Sequence, residues 1–81
     1  MASESAIKAA IEQIVSNCSN WTIGVTDDVS RRRSEHNNPP GWRHWDADTE
    51  QAARNVESYF IDKGMRGSAG GLGRADYVYI F

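Results

Sequence analysis

The sequence contains little cysteine and no long apolar run. Its 81 residues include one cysteine, Cys18, which cannot form an internal disulfide and so favours a reducing compartment. No segment approaches the ~18 apolar residues of a membrane span, and the first residues lack the apolar core of a signal peptide. We therefore expect a soluble, cytoplasmic protein with no membrane partner.

An excess of positive charge is also absent. Nine Lys and Arg stand against eleven Asp and Glu, and the resulting net charge of −2 argues against a general nucleic-acid coat protein. The basic residues are unevenly distributed, however, because four arginines fall between Arg31 and Arg43. A local basic face is therefore compatible with the composition.

The length predicts a single domain, spanning residues 1–81, near the lower limit for folding without a disulfide or a metal. Residues 1–17 carry apolar side chains at helical spacing and predict an N-terminal helix. Residues 64–75 are rich in glycine and predict a flexible loop. Residues 76–81 alternate aromatic and aliphatic side chains and predict a C-terminal strand.

Residues 21–26 predict a strand, because apolar side chains alternate with smaller ones along W-T-I-G-V-T. Gly24 interrupts the row of side chains and allows another backbone or a ligand to approach closely. Thr26, Asp27 or Asp28 can then cap a helix by accepting a hydrogen bond from its first turn. The strand therefore leads directly into a second helix.

This second helix carries basic residues where apolar ones are expected. Its inward positions, set by the i, i+3, i+4, i+7 spacing, are Val29, Arg32, Arg33 and His36. Arg32 and His36 lie one turn apart and can converge on one anion, since arginine offers donors that match phosphate and histidine can donate, accept or transfer a proton. The alternative is a solvated face that pairs with neighbouring carboxylates.

Residues 42–46 predict another short strand with two tryptophans, which fit packing or, as the alternative, the stacking of nucleic-acid bases. Asp46 or Asp48 can cap the third helix. Glu57 lies at the edge of the apolar face of that helix. A carboxylate in this position either reaches water or is held inside for a purpose.

The stretch T-I-G-V-T-D-D-V-S-R-R-R-S-E-H-N resembles the second half of the GIY-YIG nuclease signature. In that signature a Y-I-G strand runs into a helix that bears an arginine and, four residues later, a histidine. The stretch A-A-R-N-V-E-S-Y-F-I is similar to the second helix of the family, which carries a single glutamate. Over residues 21–63 the chain therefore resembles a divergent member of the GIY-YIG nuclease superfamily.

The resemblance implies an α+β fold, with a small, three-stranded, mainly antiparallel sheet flanked by three helices, and metal-dependent cleavage of nucleic acid. By position, Arg32 would contact the scissile phosphate, His36 would support it, and Glu57 would ligate a divalent ion, expected to be Mg²⁺. A hard cation binds carboxylate oxygen and retains several waters, so one protein ligand can suffice. The expected nucleic-acid contacts are Arg31, Arg32, Arg33 and Arg43.

The chain departs from the family signature at its tyrosines. Thr22 stands where the second tyrosine is expected, the G-I-Y strand is missing, and no asparagine follows Glu57 in the later part of the chain. We hypothesise that the C-terminal strand takes the place of the missing strand. Tyr77 or Tyr79 would then present a catalytic phenol toward Arg32 and Glu57. The alternative is that both tyrosines only pack the strand.

Three functions are compatible with these patterns. The first is a GIY-YIG-like domain that contacts nucleic acid and cleaves it with a metal. The second is the same fold without catalysis, serving as a nucleic-acid-binding or protein-interaction module. The third is a small structural protein that pairs with another chain through the edge of its C-terminal strand.

Overall fold

The computed structural model describes residues 1–67 and 74–81 and has an α+β fold, as the sequence predicted. The described helices are α1 (Glu4–Ile14), α2 (Val29–Glu35) and α3 (Glu50–Asp62), with a short 3₁₀ turn at Cys18–Asn20. The strands are β1 (Thr22–Thr26), β2 (Arg43–Asp46), β3 (Arg66–Gly67) and β4 (Tyr77–Ile80). None of the helices in this part of the chain is long and apolar enough to cross a membrane.

The sheet is mixed and has four strands in the order β2-β4-β1-β3, so the prediction of three strands is wrong. The additional strand, β3, follows a turn at Gly64, whose φ of +113° favours glycine. It runs parallel to the start of β1, whereas β4 is antiparallel to both of its neighbours. Two residues are too few to produce a periodic pattern in the sequence. The rest of the predicted glycine-rich loop, residues 68–73, lies outside the described residues.

Side-chain hydrogen bonds to the first turn define where α2 and α3 begin. Asp28 caps α2 by accepting from the Arg31 N–H at 3.0 Å, which is one of the three caps that the sequence allowed. The cap of α3 is Thr49, which accepts from Ala52, and the predicted Asp46 or Asp48 is wrong. Asp46 still belongs to β2, and the Asp48 N–H donates to the Ala2 carbonyl, so the helix begins after both.

One face of the sheet carries the hydrophobic core. Register pairs Ile23 with Ile80 and Val25 with Val78, and paired residues of neighbouring strands point to the same face. These four side chains pack against α1 and α3 in one cluster of buried residues. The helical members of that cluster include Ile7, Ile11, Ala53, Val56 and Phe60. We call this face the core face.

The opposite face carries α2 and is built differently. Successive side chains of a strand point to opposite faces, so Tyr79, between the core residues Val78 and Ile80, points away from the core. Tyr79 is nevertheless 0 % exposed, because residues of α2 and the segment before β2 cover it. No residue of α2 is itself buried. We call this side of the sheet the α2 face.

The C-terminal strand is an interior strand. β4 pairs with β1 on one side and with β2 on the other, over all four of its residues. Backbone groups that already bond two neighbours cannot recruit a third strand. The predicted pairing with a partner chain through the edge of the C-terminal strand is therefore wrong.

Candidate functional site

A tyrosine hydroxyl from the C-terminal strand meets the basic helix. The Arg32 Nε donates a hydrogen bond to the Tyr79 hydroxyl at 3.0 Å, and the His36 Nε2 lies 3.2 Å from the same oxygen. Arg32 and His36 stand one turn apart on α2, so both face the sheet, as their spacing predicted. We call these three residues the Tyr79 cluster. It joins groups that are 43 and 47 positions apart in the chain.

Arg32 is held in place from two sides. Besides Tyr79, its guanidinium contacts the Glu35 carboxylate through Nη1 at 3.0 Å. The hydrogen bond to Tyr79 is the main cause that raises the pKa of Arg32 above its ordinary value, and the bond to Glu35 adds to it. The side chain is 16 % exposed. Arg32 is therefore a fixed cation with one edge near solvent.

His36 is more stable as the neutral imidazole in this environment. Partial burial lowers its pKa below the ordinary 6.5, and the charge of Arg32 lowers it further, although Glu35 acts in the opposite direction. A neutral imidazole can accept the Tyr79 proton at Nε2 while the phenol oxygen accepts from Arg32. That arrangement satisfies all the polar atoms that meet at the Tyr79 hydroxyl.

Two aromatic rings, Trp42 and Phe81, extend the Tyr79 cluster and form an aromatic stack with Tyr79. Trp42 stacks on Tyr79 with ring centroids 4.5 Å apart and planes inclined by 11°. It also stacks on Phe81, with ring centroids 5.8 Å apart and planes inclined by 12°. The Trp42 Nε1 donates to His44 Nδ1 at 3.2 Å, which fixes the indole in its plane. The site is thus a polar cluster covered by an aromatic stack.

The remaining arginines do not assemble at one point. The Arg31 Nη2 forms an ion pair with the Asp27 Oδ1 at 2.7 Å, and the Arg31 Nε lies 3.9 Å from the Glu35 Oε2. Arg33 is exposed on α2 and has no carboxylate partner within the described ranges. Arg43 pairs in register with Ile80, so its side chain leaves from the core face at the edge of the sheet. Three of the four predicted nucleic-acid contacts, Arg31, Arg32 and Arg33, therefore lie on α2, whereas Arg43 lies on β2.

Glu57 does not join the Tyr79 cluster. It lies on α3, which packs on the core face, so the sheet separates it from Arg32 and Tyr79. Burial raises the pKa of Glu57 above its ordinary value, and Arg54 partly opposes that effect. Residues 1–67 and 74–81 contain no group of three or more His, Cys, Asp or Glu that could hold a metal ion. Glu57 therefore stands without a pair of further carboxylate, histidine or cysteine ligands in this part of the chain.

Tyr77 points to the α2 face but lies away from α2. Its register partners are Thr26 and Asp46, and its ring lies edge-on to His44 with centroids 6.3 Å apart. No hydrogen bond joins it to α2 in the part of the chain that the structure describes. Of the two candidate tyrosines, Tyr79 is therefore the one brought to the basic helix.

Sequence reasoning gave base stacking by Trp42 and Trp45 as an alternative to packing, but it did not place Trp42 or Phe81 beside Tyr79. Phe81 carried a usable signal, because it follows Tyr79 by two positions and shares its face of the strand. Trp42 carried none, since its position above Tyr79 depends on a turn in which Asn37 and Asn38 have positive φ values of 64° and 48°. Two adjacent residues in that conformation are uncommon and are not apparent from the sequence.

Comparison with protein-family models, with curated proteins and with solved structures finds no match to this chain. The Tyr79 cluster and the aromatic stack are therefore the features of this chain that bear on its function.

Proposed function

We propose that this chain is a GIY-YIG-like domain that contacts nucleic acid through its α2 face without cleaving it at Glu57. The meeting of Tyr79, Arg32 and His36 at one hydroxyl is the observation that carries the proposal. It supports the proposal because β4 lies antiparallel beside β1, and our hypothesis is that the C-terminal strand replaces the missing G-I-Y strand. The C-terminal strand thereby supplies a tyrosine to the arginine and histidine of α2.

In this proposal, arginines at the exposed edge of α2 contact the phosphate. Arg33 is exposed and has no carboxylate partner in the described residues. Arg32 has its Nε committed to Tyr79 and shares Nη1 with Glu35, whose own side chain is 47 % exposed. An arriving phosphate can replace this partly exposed carboxylate while Tyr79 keeps the guanidinium oriented. Tyr79 is a positioning residue in this account, since it is fully buried.

Metal-dependent cleavage is the second candidate function. The Tyr79 cluster favours it, because a phenol, a guanidinium and an imidazole together can orient a phosphate and move a proton. The position of Glu57 on α3, across the sheet from the Tyr79 cluster, does not fit it, and the described residues offer Glu57 no group of further ligands. We therefore derive no catalytic step through a metal.

Two variants with the same change of charge test the binding surface. Arg33→Ala removes an exposed arginine from the α2 face, and Arg66→Ala removes one from β3 at the far edge of the sheet. We expect Arg33→Ala to weaken the binding of a labelled oligonucleotide and to reduce the salt slope by about one unit, as one lost phosphate contact does. Arg66→Ala should have a smaller effect. Equal effects, or no binding at low salt, would contradict the proposal.

A cleavage assay separates the two candidate functions. The wild type and Glu57→Ala are incubated with single-stranded and duplex DNA and RNA in the presence of Mg²⁺ or Mn²⁺. We expect no cleavage dependent on Glu57, and we expect Glu57→Ala to bind as the wild type does. Cleavage that disappears in Glu57→Ala while the variant remains folded would establish the nuclease and overturn the non-cleaving account.

A further inference from the structure

The Trp42 indole presents one ring face away from the protein cluster that it covers. The ring centroids of Tyr79 and Phe81 are 6.1 Å apart with planes inclined by 9°. Trp42 lies 4.5 Å from the first and 5.8 Å from the second, so it cannot lie between them and must cover both from one side. Its other face is directed away from both rings. Trp42 is half-buried, which agrees with a ring covered on one face.

The three tryptophans of the chain differ in their surroundings. Trp21 and Trp45 pack against the core cluster. Trp42 instead packs on Tyr79 and Phe81 on the α2 face, and its N–H is bonded to His44. Its indole is therefore oriented by two stacked rings and a hydrogen bond without being enclosed in the core. A side chain that is ordered in advance loses little conformational entropy when a ligand stacks on it.

Helix α2 ends beside this ring and carries an exposed arginine. The His36 ring centroid is 6.4 Å from that of Trp42. Arg33 precedes His36 by three positions, and residues at that spacing are neighbours on a helix surface. Arg33 is exposed, and the described part of the chain supplies no carboxylate for it. A planar apolar surface next to a cation matches a nucleotide, which joins a flat base to a phosphate.

We propose that Trp42 stacks an unpaired base of a single-stranded nucleic acid, while Arg33 contacts a neighbouring phosphate. This inference rests on the proposed contact with nucleic acid. It adds that the α2 face prefers single-stranded nucleic acid to a duplex. A base within a duplex has both faces covered by its neighbours, whereas a base in a single strand can leave the stack and offer a free face. The platform therefore favours single strands over duplexes.

Intrinsic fluorescence of a protein with one tryptophan tests the inference. Trp21→Phe with Trp45→Phe leaves Trp42 as the only indole. The protein is titrated with an oligothymidine of about ten nucleotides, an abasic strand of the same length, and a duplex of the same length. We expect the oligothymidine to quench the fluorescence and to bind about tenfold more tightly than the abasic strand, a ratio typical of one stacked base. Tighter binding of oligothymidine than of the duplex is also expected.

Each other outcome leads to a definite conclusion. Equal binding of all three strands would overturn the stacking inference and leave the phosphate contact of the proposed function in place. No binding of any strand would overturn both. If the double variant does not fold, the indole N–H signals of the wild-type protein give the same information by NMR. The Trp42 signal must then shift with oligothymidine more than those of Trp21 and Trp45.

Trp42→Leu in the otherwise unchanged protein provides a second, independent measurement. It removes the aromatic face and keeps an apolar side chain over Tyr79. We expect it to reduce the preference for oligothymidine over the abasic strand to near unity. Trp45→Phe is its matched control, because Trp45 belongs to β2 and packs on the core face. Retention of the preference in Trp42→Leu would overturn the inference.

Discussion

The two faces of the sheet are stabilised by different interactions, although β4 contributes to both. On the core face, Val78 and Ile80 are fully buried among aliphatic side chains of α1 and α3. On the α2 face, the residue between them, Tyr79, is equally buried but is held by hydrogen bonds and stacked rings. Apolar burial is non-directional, whereas hydrogen bonds impose orientation. The core face thus stabilises the domain, and the α2 face fixes side chains in a defined geometry.

The contrast also explains how α2 is attached. α1 and α3 each bury apolar residues, whereas α2 buries none and has only two turns. A helix of this length is not stable by itself. The inward contacts of Arg32 and His36 with Tyr79 are therefore central to its docking. The following changes test this division between the faces, beginning with the largest expected effect.

The largest loss of stability is expected from the core face. Ile80→Ala removes three carbons from a fully buried side chain and should lower the free energy of unfolding by about 2–5 kcal/mol. The contacts of Tyr79 on the other face should survive in the folded fraction. Chemical denaturation measures the first effect, and the NMR signals of Arg32 and His36 report the second. A loss below about 1 kcal/mol would contradict a core on this face.

Tyr79→Phe should have a smaller and more local effect. It removes one hydroxyl and keeps the ring, so about 1 kcal/mol of stability should be lost with the two hydrogen bonds. Because these contacts hold α2, amide hydrogen exchange should accelerate in α2 more than in α3. Tyr77→Phe is the control, since Tyr77 has no hydrogen bond to α2 among the described residues. Uniform acceleration across both helices would show that α2 does not depend on this hydroxyl.

His36 should make the stability dependent on pH. Its folded-state pKa is lowered from 6.5, chiefly by burial and then by Arg32. The contribution of neutral His36 to stability is therefore fully present above about pH 6.5. It is lost as the pH falls through the folded-state pKa, because the unfolded chain takes up the proton more readily. The slope from one such group cannot exceed about 1.4 kcal/mol per pH unit.

Replacement of the imidazole identifies this contribution. His36→Gln should lack the loss of stability that the wild type shows below about pH 6.5. His44→Gln, on the exposed strand β2, should retain it. Thermal unfolding between about pH 5 and pH 8 measures both variants. Identical pH profiles for the wild type and His36→Gln would show that the protonation of His36 does not affect the docking of α2.

Glu57 should give the smallest effect, with the opposite dependence on pH. Burial raises its folded-state pKa above 4.5, so folding disfavours the carboxylate. The cost is absent below about 4.5 and appears as the pH rises through the folded-state pKa. Glu57→Gln should therefore raise the melting temperature at neutral pH and have little effect in acid.

Glu50 on the same helix provides the control for Glu57. Its pKa is lowered, first by the hydrogen bond from Arg54 and then by the Ala75 N–H, so the folded state favours its carboxylate. Glu50→Gln should therefore reduce stability at neutral pH, where Glu57→Gln increases it. A loss of stability in Glu57→Gln at neutral pH would mean that the carboxylate has a favourable partner or bound cation in solution.

The sequence predicted the elements of the fold better than their arrangement. The helices and three of the strands carry clear periodic patterns, and the inward positions of Arg32 and His36 follow directly from helical spacing. β3 was missed because its two residues have no period. The interior position of β4 was also missed, since the order of strands depends on contacts distant in sequence. Local patterns define elements, and long-range packing places them.

The same limit applies to the candidate site. Helical spacing predicted that Arg32 and His36 share one surface. The hypothesis that Tyr77 or Tyr79 faces Arg32 and Glu57 holds only for Tyr79 and Arg32, which are joined by a hydrogen bond of 3.0 Å. The position of Glu57 depends on which face of the sheet α3 covers, and one sequence carries no signal for that choice. The sequence showed that Glu57 lies at the edge of an apolar helix face. It did not show that the sheet separates Glu57 from Arg32.

The most direct test is an NMR titration of the full chain with a short single-stranded oligonucleotide, following all backbone amides and the indole N–H groups. We expect shifts to concentrate on α2, on the Trp42 indole and around His44, while α1 and the Glu57 region of α3 remain unchanged. Shifts centred on α3, or no shifts at any oligonucleotide concentration, would contradict the claim that the α2 face contacts nucleic acid.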